Sequence, residues 1–215
     1  MMRRKDAAVS PVVGVMLMLV VTIIIAAVVS AFAGGLTGNQ QKTPQTTFAV
    51  KGVIQDIQGT IDPDTYELTY PAGFNASNGF QFENTGGDTI SLSDIKIQLQ
   101  TEDTKYTLLP TDTLPVANSI LPAGISNGGY FQKIGNTSVS DKTIAPGDKF
   151  MLYADGCAKA VTYTYDNSYY GPKISWTPSS AEHGFSLYLN TKIQYKIIDK
   201  DSNGVISSGE LYLTQ

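Results

Sequence analysis

VVGVMLMLVVTIIIAAVVSAFAGGL, residues 12–36, decides the architecture. The run is apolar on every face, so it has neither a polar side for water nor a narrow stripe to lay on a core. Its length suits a membrane span. Fourteen of its residues are Val, Ile, Leu or Phe, which together favour the bilayer by about 4–8 kcal/mol. Many are β-branched and poor helix formers in water. In lipid the backbone must satisfy its own hydrogen bonds, so the segment is helical regardless. Ser10 and Pro11 suit the N-cap and first helical position, and Gly34 and Gly35 suit the exit. The expected rod is near 40 Å long at about 1.5 Å per residue.

Working outward, Arg3, Arg4 and Lys5 precede the run, whereas no charged residue occurs from Ala7 through Gln41. The basic triplet should stay cytoplasmic while the rest crosses. A secretory signal would have a shorter apolar region ending in a small-residue cleavage site. On these grounds alone the segment reads as a single-pass anchor for an outside domain.

The junction adds a second signal. Arg3-Arg4-Lys5-Asp6-Ala7-Ala8-Val9-Ser10-Pro11-Val12-Val13-Gly14 resembles the start of archaeal type IV pilins. In that family a short basic leader precedes a small residue, and a Ser-Pro-Val-hydrophobic-Gly sequence opens the helix. The resemblance implies that a prepilin peptidase removes residues 1–7 on the cytoplasmic side, between Ala7 and Ala8. Residues 8–36 are then kept as a hydrophobic assembly helix. Cleavage takes away Arg3, Arg4, Lys5 and Asp6 and leaves 12 basic and 18 acidic residues. The lost charges would otherwise oppose burial of the helix end in an apolar bundle.

The rest of the chain is a different material. Charged residues are 16% of 215, the formal net charge is −4 and the sequence pI is about 4.9, which argues against a nucleic-acid partner. The single cysteine and single histidine exclude an intrachain disulfide framework, a zinc ribbon, an iron–sulfur cluster and a multi-histidine centre. Residues 37–47 read as a polar hinge containing Pro44. Beyond it, short alternating runs such as Thr47–Ile57, Ile90–Leu99, Lys149–Tyr153 and Lys192–Ile198 are separated by Gly, Pro, Asn and Asp. That is the pattern of a β-sandwich. The expected fold is α+β: one long helix, then an all-β, immunoglobulin-like head over residues 48–215. Two stretches in it, Glu83–Ile95 and Ile144–Phe150, resemble recurrent segments of archaeal pilin heads.

Asp199-Lys200-Asp201-Ser202-Asn203-Gly204-Val205-Ile206-Ser207-Ser208-Gly209-Glu210 matches the spacing of a twelve-residue calcium loop. Asp199, Asp201, Asn203, the Val205 carbonyl, Ser207 and Glu210 would supply the oxygens, with Gly204 at the sharp turn. The flanks look strand-like, and Asn203-Gly204 equally suits the centre of a hairpin. Two sequons, at Asn75 and Asn136, are candidate glycosylation sites. Cys157 reads as a small packed residue and His183 as a loop residue. Tyr163, Tyr165, Tyr169 and Tyr170 read as half-buried strand positions or, alternatively, a subunit contact.

No acid–base–nucleophile set can be assembled, so the chain does not read as an enzyme. It has no G-x-x-x-x-G-K loop. If it is a pilin, an external assembly ATPase and a membrane platform must drive polymerisation. The leading expectation is a homo-oligomeric extracellular filament subunit that is membrane-anchored before assembly and serves adhesion. The alternatives are an archaellin-type motility subunit and a membrane-tethered domain that binds glycans.

Overall fold

The structure, a computed structural model, describes residues 11–37, 42–113, 120–122, 125, 129–135, 140–178 and 184–214. The chain divides into two compact units, residues 1–42 and 43–215. The first contains α1 (Pro11–Thr37), which has no acidic residue in its first turn and no basic residue in its last. Pro11–Ala33 alone is 23 residues long with a mean hydropathy of 3.2, sufficient to cross a bilayer. Thr22 donates its hydroxyl proton to the Leu19 carbonyl at 2.8 Å, so even this polar group is satisfied within the helix.

The second unit is strand-rich and mostly antiparallel. Its first sheet has the order β1 (Thr46–Val53), β4 (Gly79–Gly87), β10 (Lys149–Tyr153) and β8 (Phe131–Lys133). A second runs β17 (Val205–Tyr212), β16 (Lys192–Asp199), β6 (Ile95–Gln100) and β7 (Lys105–Leu108). A third runs β11 (Gly156–Ala158), β14 (Lys173–Trp176) and β15 (Phe185–Tyr188). Three ribbons complete it: β2 (Thr60–Ile61) with β3 (Leu68–Thr69), β5 (Ile90–Ser91) with β9 (Thr143–Ile144), and β12 (Val161–Thr162) with β13 (Tyr169–Tyr170).

Period-two alternation builds the core. Ile95, Ile97 and Leu99 of β6 are buried, as are Ile193, Tyr195 and Ile197 of β16, while Lys192, Gln194 and Lys196 face solvent. Phe82 of β4 meets Tyr195 of β16 edge-on at 5.9 Å, joining the first two sheets face to face. Phe80 stacks on Trp176 at 5.9 Å, and Tyr106 stacks on Phe185 at 5.4 Å, so the third sheet closes the same core. The expected sandwich is therefore present, with a third small sheet added.

Two boundaries differ from expectation. The head starts before residue 48, because the Thr46 hydroxyl donates to the Asp88 carbonyl at 2.8 Å and Thr46 itself is buried. Ile90–Leu99 is two strands, β5 and β6, separated by a turn in which the Asp94 amide donates to the Ser91 carbonyl at 3.0 Å.

Phe82 is fully buried and contacts Phe48, Phe150 and Tyr195. Phe82→Ala should cost about 3–5 kcal/mol, the range for deleting a core aromatic. Denaturant unfolding of the full chain in detergent, followed by tryptophan fluorescence, measures this.

Candidate functional site

The helix is the first candidate. Val12, Met18 and Phe32 are 66%, 73% and 69% exposed, and every described side chain from Pro11 to Ala33 is exposed. Burial of apolar surface is worth about 25 cal/mol per Å². A helix bare on all sides therefore demands an apolar surrounding, either lipid or other helices. Chemically the surface can pack; it carries no group for a reaction.

The second candidate is the turn between β16 and β17. Asp199 is buried, and its Oδ2 accepts the Ser202 amide and hydroxyl at 2.7 and 2.6 Å. With the Ser202 proton committed there, Thr43 donates to Ser202 Oγ at 2.8 Å, and the Gly204 amide donates to it at 3.1 Å. Asn203 takes the left-handed conformation at φ 55° that a hairpin turn requires. Gly204 serves a purpose other than the sharp turn expected of it. Its φ is outside the left-handed region, and a Cβ there would lie 1.9 Å from Thr43 Oγ1. The missing side chain makes room for the start of the domain.

In this hairpin the expected calcium ligands are not gathered around one point. Glu210 is registered opposite Gln194 on β16, which places it about 16 Å along the strand from Asp199 at about 3.3 Å per residue. Calcium needs its oxygens within 2.3–2.6 Å. Glu210 is instead paired with Lys192 and accepts Gln194 Nε2 at 3.0 Å. That pairing holds its carboxyl below the usual range. Asn203 Oδ1 accepts the Lys96 ammonium at 2.6 Å, so a cation already holds that oxygen. Val205 and Ser207 belong to β17, opposite Ile198 and Ile197; Asp201 is exposed. Among the described residues no group of three or more His, Cys, Asp or Glu is arranged to hold a metal. Pairing of β16 with β17 through Tyr212 has turned most of the expected loop into strand.

The two stretches Glu83–Ile95 and Ile144–Phe150 form one latch. Buried Asn84 accepts the Gly86 amide at 3.0 Å and donates to the Asp88 and Ile144 carbonyls at 3.3 and 3.4 Å. Its backbone bonds Asp148 and Gly147. Asp88 in turn accepts the Gln45 amide at 2.9 Å, so the latch grips the first residues of the head. Gly87, at φ 103°, leaves room where a Cβ would lie 2.1 Å from the Gln45 carbonyl oxygen.

Residues 7–48 match the family model of the archaeal type IV pilin N-terminal domain. The N-terminal part of this chain is pilin-like. A search of the curated proteins returns no match. The pilin-type match spans the helix, the linker and the first residues of β1, ending at Phe48, which is buried against Phe82 and Phe150.

The remaining sequence candidates are placed as follows. Asn75 is exposed, its amide nitrogen donating to the Gly73 carbonyl at 3.2 Å. Ala7, Ala8, Asn136 and His183 lie outside the described residues. Cys157 is buried, and burial pushes its thiol above the usual range. Of the four tyrosines, Tyr163 is half-buried and Tyr169 and Tyr170 are in a strand, as expected, whereas Tyr165 and Tyr169 are 94% and 68% exposed; among the described residues β12 and β13 form a ribbon paired with no further strand. Sequence reasoning missed buried Asp155, which accepts the Tyr130 hydroxyl and, at 2.7 Å, the Thr177 amide. Burial raises its carboxyl. Its only sequence signal was an acidic residue directly after the apolar run Phe150–Ala154.

Three predictions follow from this geometry. Gly204→Ala should destabilise by about 1–3 kcal/mol, as overpacking does, and adding Thr43→Gly should restore much of the loss. A double-mutant cycle from unfolding curves reads the coupling. Calcium and chelator should give equal melting midpoints for the full chain, since the shell is not assembled. Lys133 bonds Asp148 and Asp141; Lys133 depresses the Asp148 carboxyl, and the Thr143 amide together with Lys133 depresses that of Asp141. Depressed carboxyls add stability above their unfolded range and lose it as pH falls through their folded values. Asp148→Asn should therefore flatten the acid limb of the stability profile below about pH 4, read from melting midpoints against pH.

Proposed function

We propose that this protein is the structural subunit of an archaeal type IV pilus-like extracellular filament. The observation that carries the reading is a helix with no polar face, joined to a match with the archaeal type IV pilin N-terminal domain. The match starts at residue 7 and leaves the basic residues Arg3, Arg4 and Lys5 outside it. In this reading a prepilin peptidase cuts between Ala7 and Ala8, and the helix is held in the membrane until assembly. Copies then pack their helices together, trading lipid for one another, while the heads form a sheath. An external ATPase and a membrane platform supply the work, and the filament serves attachment. Asn75, exposed and in a sequon, is the described position suited to carry a glycan.

Peptide mapping of sheared surface material should find a mature start at Ala8, and a retained Met1 would contradict the reading. Ile24→Lys places a charge at mid-helix, where an unpaired ion is costly both in lipid and in a packed bundle. It should abolish filaments seen by negative stain while leaving the head's melting transition in place. Filaments at normal abundance would contradict assembly through the helix. Intact mass of purified subunits reads glycan at Asn75 as an increment lost in Asn75→Gln.

A further inference from the structure

A cleft of about 380 Å³ opens between the β6–β7 turn, β15 and the start of β16. Small-molecule sites begin at about 300 Å³, so a single ring and its substituents fit. Glu102, Asp103 and Thr104 line one side and Ser186, Tyr188 and Lys192 the other. The strand period puts Ser186 and Tyr188 on the same side of β15, because Phe185, Leu187 and Leu189 are buried on its opposite face. The turn is braced from within: Thr101 and Thr104 share a hydroxyl hydrogen bond of 2.8 Å, and the Thr101 amide donates to the Thr104 carbonyl at 2.8 Å. Lys192 is neutralised by Glu210. The ion pairs among the described residues leave out Glu102 and Asp103.

The lining selects its ligand by chemistry. Two carboxylates outside those ion pairs, beside a lysine neutralised by Glu210, disfavour phosphates, sulfates and uronates in the cleft, while the Lys173 ammonium is engaged over the Tyr188 ring, 5.9 Å from its centroid. They do not make a metal site, since no group of three acidic, His or Cys side chains is arranged for one among the described residues. Carboxylates do accept hydroxyl protons strongly, and the Thr, Ser and Tyr hydroxyls can both donate and accept. An aromatic strip leads away from the cleft: Tyr188 to Tyr170 at 6.2 Å, Tyr170 to Tyr163 at 5.1 Å, and Tyr163 to Tyr66 at 4.8 Å between ring centroids. Tyrosine offers an apolar ring with a polar tip, suited to a partner that is itself amphipathic.

We propose that this cleft binds a neutral sugar ring through Glu102, Asp103 and the hydroxyls around Tyr188, with the tyrosine strip receiving further residues of the same glycan. The assignment is independent of polymerisation. Saturation-transfer NMR on the full chain, dispersed in a zwitterionic detergent, tests it with maltose, lactose, chitobiose, a glucuronate disaccharide and spermidine as probes. At least one neutral disaccharide should give transfer, and the glucuronate should give none. Glu102→Gln and Asp103→Asn should each weaken that binding roughly 10-fold or more, as expected when a hydrogen bond to a charged group is lost. Lys51→Ala, on the exposed side of β1, should leave it unchanged. No transfer from any neutral sugar, undiminished affinity in the double variant, or spermidine or glucuronate binding in their place would overturn the proposal. Since the chains are dispersed, failure here leaves the filament reading standing, and absent filaments leave this reading standing.

Discussion

A helix that presents hydrocarbon in every direction cannot rest in water. That demand organises the molecule. Pro11–Ala33 has no polar side, and a helix that lies on a core in water needs one. The head carries its own core. Phe82, Phe80 and Trp176 join three sheets into one core. Two polar devices hold the segment where the head begins: Asp88 bonds the Gln45 amide, and Thr43 bonds Ser202 beside Gly204.

That economy of roles fits a subunit whose two parts do different work. The rod is apolar along its length, and the head is a polar body with an excess of acidic residues. The latch built on Asn84 is worth more than its individual bonds suggest. Three carbonyl or amide partners sit around a fully buried side chain, and removing the Asn84 amide takes a bond from each of them. Such a network fixes a single arrangement where the ribbon β5–β9 meets the end of strands β4 and β10.

The helix was legible because its signal is compositional and needs no partner. β6 and β16 were legible because a half-buried strand prints its burial as alternation, here Ile95-Ile97-Leu99 and Ile193-Tyr195-Ile197. The small strands β8, β9, β11 and β14 were not, since two to four residues carry too little period to distinguish them from loops. The stretch Asp199–Glu210 was open to two readings for a related reason. Spacing alone cannot say whether Asp199 to Glu210 curls around an ion or zips into a hairpin, and long-range pairing of β16 decided for the hairpin. The cleft at Glu102 was invisible in sequence because its walls come from segments more than eighty residues apart. Likewise the meeting of Glu83–Ile95 with Ile144–Phe150 depends on antiparallel pairing of β4 with β10.

The central claim is that this helix exchanges lipid for copies of itself. Electron cryomicroscopy of fibres sheared from cells and reconstructed to side-chain detail tests it most directly. The account predicts a shaft whose axis is lined by residues 8–36 of many copies, with the β-rich heads outside. Fibres lacking this chain, or a chain found only as isolated molecules in the membrane, would contradict it.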